Sequence, residues 1–311
     1  MTTADSDYER EISTKPRLAS TVLVSRDYVR ANRFHNPSRS LFLLHTDANA
    51  NFAMAPKAKS AKKSTSASTA TQPASAQQPA RPDWPPLKPL LPAADLTVET
   101  LLQNQILTIP RFWTSTLCKN YVSFLSTLPL TTTPGKPKKG EAVRVNDRFQ
   151  INDPVFAEQL WSGTALKELV KNYAVDEDQQ GDEFWGGEVI GLNPNIRIYR
   201  YSKGQFFDQH YDESNHISFP SSDSAAPIPA KTTWTLLLYL TSPATGCKGG
   251  ETVFYPEPAS KREAAPPPVV ANLEVGMVLL HRHGNDCLLH EGREVTEGEK
   301  WVVRSDLCVK R

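Results

Sequence analysis

The chain has 311 residues, and its 35 Lys and Arg almost balance its 34 Asp and Glu, which leaves a formal net charge of +1. A chain this close to neutrality has no large field of one sign, so its composition predicts neither a specific nucleic-acid partner nor a membrane partner. It contains no apolar run long enough to cross a bilayer, and its polar N-terminus lacks the apolar region of a secretory signal. We therefore expect a cytoplasmic or nuclear protein.

Residues 1–92 are predicted to form a disordered, basic, Pro/Ala/Ser-rich N-terminal extension. Residues 54–92 contain almost no large apolar side chains, so this stretch cannot bury enough surface to offset the entropy of ordering. Met54 is a second plausible start of translation, which makes residues 1–53 a candidate gene-model extension. A basic cluster fits either a nuclear signal or a solvated tail: Lys57, Lys59, Lys62 and Lys63.

Residues 93–311 are predicted to form one folded domain that begins with helices. The stretch 96–102 is interpreted as one or two helical turns. Apolar residues at three- and four-residue spacing predict an amphipathic helix over 115–128, capped by Thr114 or Ser115. Two more helices are expected, at 154–161 and 165–173.

From Trp185 onward the pattern becomes that of strands separated by Gly or Pro. Many short strands with turn signals predict an antiparallel sandwich or barrel, and helices that precede strands fit an α+β chain that is mainly β. We predict a double-stranded β-helix, the eight-stranded jelly roll, with flanking N-terminal helices. The strands are expected at 195–201, 232–241, 250–255, 276–281, 286–290 and 300–309.

His210 and Asp212 form a His-x-Asp pair, and His290 follows late in the strand region. On an extended segment, residues two apart point the same way, so one segment offers an imidazole and a carboxylate to one ion. A neighbouring strand of a barrel can deliver the imidazole of His290. Two imidazoles and one carboxylate are the ligand set of a non-haem iron(II) oxygenase, which leaves coordination positions open. A His-x-Asp pair alone is weak, since it also occurs as a hydrogen-bonded surface pair.

Lys300 and Arg304 share one face of the last predicted strand. A cation buried on the ligand-bearing face needs an anionic partner, and a dicarboxylate co-substrate would supply one. Lys300 and Arg304 both lie on the face that could bind such a dicarboxylate. The alternative for each residue is an ordinary charged side chain at the rim of the sheet. Among the other histidines, His216 is expected in an exposed loop, and His281 and His283 are expected as satisfied loop histidines rather than residues of the site mouth.

Several segments together resemble the catalytic domain of prolyl 4-hydroxylase-type iron(II)/2-oxoglutarate dioxygenases. The resemblance covers about 96–310 and is specific in its order and spacing. Its segments are Arg-Tyr-Ser-Lys-Gly-Gln-Phe-Phe-Asp-Gln-His-Tyr-Asp, Leu-Leu-Leu-Tyr-Leu-Thr, Gly-Gly-Glu-Thr-Val-Phe, Val-Gly-Met-Val-Leu-Leu, His-Glu-Gly and Glu-Gly-Glu-Lys-Trp.

This resemblance implies a function and a set of site residues. His210, Asp212 and His290 would bind Fe(II), and Lys300 would pair with the distal carboxylate of 2-oxoglutarate. Tyr201 and Tyr239 match tyrosines that family members use, although plain core aromatics with a satisfied hydroxyl are the alternative. The co-substrates would be 2-oxoglutarate and O₂, with ascorbate as the reductant.

The sequence leaves the substrate open. A prolyl or other residue of a protein and a small metabolite are both compatible with the motifs. A non-catalytic jelly-roll binding module is a rival, and a zinc hydrolase is a weaker one because no general base is evident. The loop 213–231, which follows the His-x-Asp pair, is predicted to help select the substrate, since loops of this length are often functional lids.

Overall fold

The structure is a computed structural model that describes residues 80–133, 137, 140–173, 181–220, 226–258, 260 and 262–311. The described residues lie within one compact unit, Gln72–Arg311. The predictions for residues 1–79, including the second start at Met54 and the lysine cluster, lie outside the described residues.

Four α-helices occur where the described chain is helical, and each of the first two has a side-chain cap. The Thr114 hydroxyl accepts a hydrogen bond from the backbone N–H of Leu117 at 3.2 Å, and the Asp153 carboxylate accepts one from Phe156 at 3.0 Å. No helix of the described residues is long and apolar enough to cross a membrane. The helices are α1 (Ser115–Leu125), α2 (Pro154–Trp161), α3 (Leu166–Lys171) and α4 (Gly181–Trp185).

The strands build an antiparallel, mainly β domain, as the sequence pattern predicted. They are β1 (Glu99–Leu102), β2 (Ile106–Ile109), β3 (Thr131–Thr132), β4 (Arg144–Val145), β5 (Asp147–Asn152), β6 (Val189–Leu192), β7 (Asn195–Ser202), β8 (Phe206–His210), β9 (His216–Phe219), β10 (Ile228–Tyr239), β11 (Lys248–Gly249), β12 (Thr252–Tyr255), β13 (Val269–Ala271), β14 (Val278–Arg282), β15 (Leu289–Gly292), β16 (Val295–Glu297) and β17 (Glu299–Lys310).

Two sheets form the jelly roll. The major sheet has the order β1-β2-β14-β10-β17-β7-β5-β3, with β6 paired to β17 and β9 paired to β10. The minor sheet has the order β13-β12-β15-β8-β4, and β11 pairs with β16 separately. This arrangement confirms the predicted double-stranded β-helix.

The major sheet is apolar on both faces, so it separates two cores. Its outer face packs with the helices, through side chains such as Trp234, Ile198 and Val303. Its inner face packs with the minor sheet in a smaller core that contains Tyr239 and Phe254. This smaller core also contains tyrosines and lies beside buried charged side chains, which form the polar site described below.

The structure corrects two local predictions and adds a strand that the sequence pattern did not predict. The stretch 96–102 was expected to be helical, but Glu99–Leu102 is strand β1, because it pairs with β2 at the edge of the major sheet. Strand β5 was not anticipated. The loop 213–231 contains strand β9, which pairs with β10 and extends the sheet; residues 221–225 lie outside the described residues.

Residues 80–92 were predicted to belong to the disordered extension, but the described chain packs there. The Trp84 ring stacks on Phe156 with ring centroids 4.1 Å apart, and its indole N–H donates to Asp153 at 2.8 Å. The Tyr121 hydroxyl donates to the carbonyl of Pro85 at 2.7 Å. Prolines prevent regular structure in this segment without preventing aromatic packing, which the composition argument overlooked. The position of the boundary remains a prediction.

Candidate metal centre

His210 and His290 are brought together by strand pairing in the minor sheet. His210 ends β8, His290 lies on β15, and the two residues are cross-strand partners. Their ring centroids are 4.2 Å apart. Phe207 stacks on the His210 ring at 3.5 Å, which fixes its orientation from the other side.

Asp212 lies two residues beyond the end of β8 and is held through its backbone. Its N–H donates to the Cys287 sulfur at 3.2 Å, and its carbonyl accepts from the N–H of Gly284 at 2.8 Å. The turn before β15 therefore positions the carboxylate. Burial raises the pKa of the Cys287 thiol to about 11, which suits this supporting role better than thiolate chemistry.

The two imidazoles direct the same ring nitrogen to the carboxylate. The Nδ1–H of His210 donates to the carbonyl of Asp208 at 2.8 Å, and that of His290 donates to the carbonyl of Leu288 at 2.9 Å. A carbonyl only accepts, so the Nε2 atoms carry lone pairs. Each Nε2 lies 3.8 Å from an oxygen of Asp212. The three donor atoms lie within 4.8 Å of one another.

The charge states of this cluster suit a divalent cation. Burial, and then the neighbouring His290, lowers the pKa of His210 to about 3, and burial lowers the pKa of His290. Burial opposes ionisation of Asp212, but the neighbouring Arg304 guanidinium holds its pKa well below the usual range. Neutral imidazoles and an ionised carboxylate are the forms that bind metal, and backbone-anchored Nδ1–H groups are typical of ligating histidines. The donor set therefore fits Fe(II).

Arg304 contacts Asp212 directly. Its Nη2 lies 2.9 Å from Asp212 Oδ2, and the Thr235 hydroxyl donates to the same oxygen at 2.8 Å. Behind Arg304, Asp306 lies 3.7 Å from its Nε and is paired with Arg197. Positive and negative groups thus alternate beneath the cluster, and each buried charge has an opposite neighbour.

Lys300 is fully buried, and no carboxylate of the described residues pairs with it. Its ammonium donates to the carbonyl of Gly250 at 2.6 Å and lies 5.5 Å from the ring centroid of Tyr201 and 5.4 Å from that of Tyr239. Burial lowers the pKa of Lys300 to about 8. A buried ammonium with one neutral acceptor is incompletely compensated, so the site favours an anionic ligand.

Tyr201 and Tyr239 form the walls beside Lys300. Both are buried, and the Tyr239 hydroxyl hydrogen-bonds with the hydroxyl of Thr252 at 2.7 Å. The bond to Thr252 satisfies the Tyr239 hydroxyl, as expected of a plain core aromatic. The predicted contact between Tyr239 and the co-substrate remains a prediction. Gly250 has φ +78°, and a Cβ there would lie 3.2 Å from Cδ of Lys300, so glycine makes room for the lysine stem.

Two cavities meet at the candidate ligands. A narrow inner pocket reaches from His210, Asp212 and His290 to Lys300, with Tyr201 on its wall. An outer cleft of about 1000 Å³ shares His210 and Asp212 with this pocket but does not reach Lys300. Its wall includes Arg144, Arg148, Tyr211, Glu213 and Asn215.

The remaining histidines divide differently from the sequence prediction. His216 is exposed and His283 is satisfied, as expected; the nitrogens of His283 lie 3.0 Å from the Thr235 hydroxyl and 2.9 Å from the Thr232 hydroxyl. His281 was expected to be a satisfied loop histidine. It lies instead on strand β14, is buried, and places its Nε2 3.7 Å from Asp212 Oδ2 without a hydrogen-bond partner among the described residues. The predicted strand 276–281 included His281, but a strand pattern alone does not specify which face points inward.

Comparison with known families agrees with this geometry. Residues 196–305, about a third of the chain, match the model of the 2OG-Fe(II) oxygenase superfamily. The matched segment contains the candidate iron ligands as well as Lys300 and Arg304. This match agrees with the family predicted from the motifs, whose members are oxidoreductases that use Fe(II), 2-oxoglutarate and O₂.

Solved structures with a similar fold are distant in sequence. A prolyl-4-hydroxylase from Pseudomonas putida is 14% identical, with 67% of this chain and 95% of that chain covered and a TM-score of 0.44. A viral collagen prolyl hydroxylase from Paramecium Bursaria Chlorella virus-1 is 15% identical, with 66% and 96% covered and a TM-score of 0.36. HygX from Streptomyces hygroscopicus is 15% identical, with 66% and 83% covered and a TM-score of 0.40. Similarities this low carry no argument about substrate. No curated protein matches the chain.

Proposed function

We propose that the chain is an iron(II)- and 2-oxoglutarate-dependent hydroxylase of a C–H bond. His210, Asp212 and His290 hold the iron, and Lys300 binds the distal carboxylate of 2-oxoglutarate. The observation that carries this proposal is the convergence of two features on one pocket. Two neutral imidazoles and an ionised carboxylate lie at one end, and a buried ammonium without a carboxylate partner among the described residues lies at the other.

When bound, Fe(II) and 2-oxoglutarate supply the oxidising chemistry, in which the keto acid and O₂ become succinate and CO₂ while the substrate gains one oxygen atom. The chain's own residues supply position and environment. Arg304 and Thr235 both contact Asp212 Oδ2, which holds the carboxylate in place beside the two imidazoles. Tyr201 and Tyr239 enclose the Lys300 ammonium, which strengthens its attraction to a carboxylate by excluding water.

The outer cleft is the proposed substrate site, because it reaches His210 and Asp212 and Lys300 is not part of its wall. A prolyl residue of a protein or peptide is one candidate substrate and a small metabolite is the other. Glu213 and Asn215 line the cleft, which supports a role in substrate selection for the loop that begins at residue 213. We further propose that ascorbate restores the ferrous state and that the protein acts in the cytoplasm or the nucleus.

A binding module without turnover is the rival function. The incompletely compensated Lys300 argues against it, since a buried ammonium without a ligand lowers stability and a pure scaffold gains nothing from it. In a binding module, replacement of Lys300 by an apolar residue would lower the free energy of unfolding little or not at all.

Succinate formation tests the proposal. The full chain is incubated with Fe(II), 2-oxoglutarate, ascorbate and ¹⁸O₂ together with cell extract, and products are searched by untargeted mass spectrometry. We expect iron-dependent succinate and a product that carries one ¹⁸O atom, both absent in His210→Ala. Absence of succinate across a broad set of extracts, with iron and 2-oxoglutarate bound, would favour the binding module.

A further inference from the structure

Arg144 places a cationic side chain in the wall of the outer cleft, beside the candidate metal centre. It lies on β4, where it is the cross-strand partner of Phe207 on β8. Phe207 stacks on the ring of His210, so Arg144 stands next to the strand that ends at a candidate iron ligand. Arg144 lines the outer cleft but not the inner pocket, which reaches Lys300. It is therefore placed to contact a substrate rather than the co-substrate.

Two aromatic rings hold the Arg144 guanidinium. Its central carbon lies 4.9 Å from the ring centroid of Phe207 and 5.7 Å from that of Tyr199. The main chain of Arg144 is fixed as well, because its carbonyl accepts a hydrogen bond from the Thr133 hydroxyl at 3.0 Å. A planar guanidinium that already rests on ring faces loses little further freedom when it binds a ligand. Arg144 is thus prepared for recognition.

The hydrogen-bond donors of this guanidinium are unused within the described part of the chain. Its side-chain contacts there are with the two rings, and no described carboxylate or carbonyl pairs with it. Two other arginines of the same cleft wall differ, because Arg304 pairs with Asp212 and Arg197 pairs with Asp306. Arg144 is half-buried and lines the cleft, so its N–H groups are accessible to a ligand.

The overall charge of the cleft does not by itself select a ligand. Its wall also contains Arg148, Glu141 and Glu213, so charges of both signs are mixed there. Attraction by net charge is therefore weak, and recognition depends on where each charge lies. Arginine matches the paired oxygens of a carboxylate or a phosphate with parallel hydrogen bonds, which gives Arg144 the geometry for an anionic group.

We infer that Arg144 binds an anionic group of the substrate, a carboxylate or a phosphate, and so selects acidic substrates. This inference rests on the proposed function, because it places the substrate beside the ion that His210, Asp212 and His290 hold. The anionic group is an anchor that is separate from the oxidised C–H bond, since Arg144 contacts the Phe207 ring and not the candidate ligand atoms. A prolyl segment or metabolite without such a group would bind more weakly.

Relaxation of small anions by bound Mn²⁺ tests the inference before the substrate is known. Full-length protein is loaded with Mn²⁺ and saturated with 2-oxoglutarate, and ¹³C-labelled acetate and inorganic phosphate are titrated separately as probes. The nuclei of an anion held by Arg144 should relax faster because the paramagnetic ion is near, and the titration gives the dissociation constant. We expect this enhancement for at least one probe, and the probe that responds identifies the class of anion. Arg144→Met should weaken its binding about 10-fold or more, on the scale of a lost charge-assisted hydrogen bond.

Three variants separate anion binding from a structural role of Arg144. Lys248→Met removes an exposed cation that is not part of the cleft wall and should match wild type. Arg144→Lys keeps the charge but loses the planar fork, so intermediate affinity for the anion is expected. The affinities for Mn²⁺ and 2-oxoglutarate should be unchanged in Arg144→Met. Where Arg144→Met does not fold by circular dichroism, Arg144→Gln is titrated in its place under the same criteria.

The contrary outcomes are distinct from failure of the proposed function. Equal anion affinity in wild type and Arg144→Met, as when the anion binds the ion itself, would overturn the inference and leave the metal site in place. Absence of any enhancement in Mn²⁺-loaded wild type would do the same. A parallel loss of Mn²⁺ affinity in Arg144→Met would assign Arg144 a structural role instead. A wild-type protein that binds neither Mn²⁺ nor 2-oxoglutarate would overturn the proposed function, and this inference with it.

Discussion

The Arg304 guanidinium lies 2.9 Å from the Asp212 carboxylate, and both side chains are buried. Arg304 and Lys300 share one face of β17, and either could have served as the cation that binds a dicarboxylate. The contact separates their roles. Arg304 keeps Asp212 ionised and oriented, whereas Lys300 faces the inner pocket without a carboxylate partner among the described residues. We therefore favour Lys300 over Arg304 as the 2-oxoglutarate residue.

Replacement of Arg304 by Met should destabilise the apo protein strongly. It leaves Asp212 as a buried carboxylate without its nearest cation, and breaking a buried pair in this way typically costs about 3–5 kcal/mol. Urea unfolding of wild type and Arg304→Met measures the difference. Lys248→Met is the control, because Lys248 and Glu297 form a surface pair at 2.7 Å with side chains 61% and 59% exposed, and a loss of at most about 1 kcal/mol is expected there. Equal losses in both variants would contradict the assigned role of Arg304.

Replacement of Lys300 by Met should abolish 2-oxoglutarate binding and leave metal binding intact. Isothermal titration of the Mn²⁺-loaded protein measures the first, and Mn²⁺ titration measures the second. The apo variant should also melt at a higher temperature than wild type, since it no longer buries a charge. Lys248→Met is the matched control, because Lys248 is 61% exposed and pairs with Glu297 on the surface. Wild-type affinity for 2-oxoglutarate in Lys300→Met would remove Lys300 from the site.

The affinity for 2-oxoglutarate should fall as the pH rises above about 8. Burial lowers the pKa of Lys300 from 10.5 to about 8, so the ammonium that pairs with the distal carboxylate is present below that pH and is lost above it. We expect a constant dissociation constant below pH 8 and about a 10-fold increase per pH unit beyond it. Mn²⁺ affinity without 2-oxoglutarate is the control. It should stay level over the same range, because burial lowers the pKa values of His210 and His290 and Asp212 is held ionised. A flat 2-oxoglutarate profile would be inconsistent with an ion pair to Lys300.

Residues 84–91 should contribute to the stability of the domain. The Trp84 ring packs on Phe156 and donates to Asp153, so Trp84→Ala is expected to lower the free energy of unfolding by about 3 kcal/mol. The exposed neighbour Asp83 provides the control, and Asp83→Ala should change it by less than about 0.5 kcal/mol. A chain that starts at residue 93 should be less stable than one that starts at residue 81. Equal stability of the two chains would support the boundary that the composition predicted.

The sequence was sufficient to predict the candidate ligands and the fold class. His210, Asp212 and His290 stand in motifs of fixed spacing, and period-two alternation places Lys300 and Arg304 on one face. The sequence did not determine the partner of Arg304, because a strand face does not specify which carboxylate lies opposite it. It also did not reveal the inward position of His281, which depends on the pairing of β14 with β10.

Two strands show why local patterns failed elsewhere. In β5 the buried positions are Asp147, Phe149 and Ile151, and the aspartate hides the apolar alternation. The buried carboxylate of Asp147 is compensated by Arg200 on the neighbouring strand β7. This is a tertiary contact, which the pattern of β5 alone does not reveal. In β1 a helix-like spacing was overridden by pairing with β2.

The ligand assignment is the central claim, and anaerobic equilibrium dialysis with Fe(II) tests it most directly. Wild-type protein should retain one ferrous ion per chain. His210→Ala, Asp212→Ala and His290→Ala should each lose it, whereas His216→Ala, which removes an exposed imidazole of β9, should retain it. Full retention of iron in His210→Ala or His290→Ala, with the variant folded, would contradict the assignment.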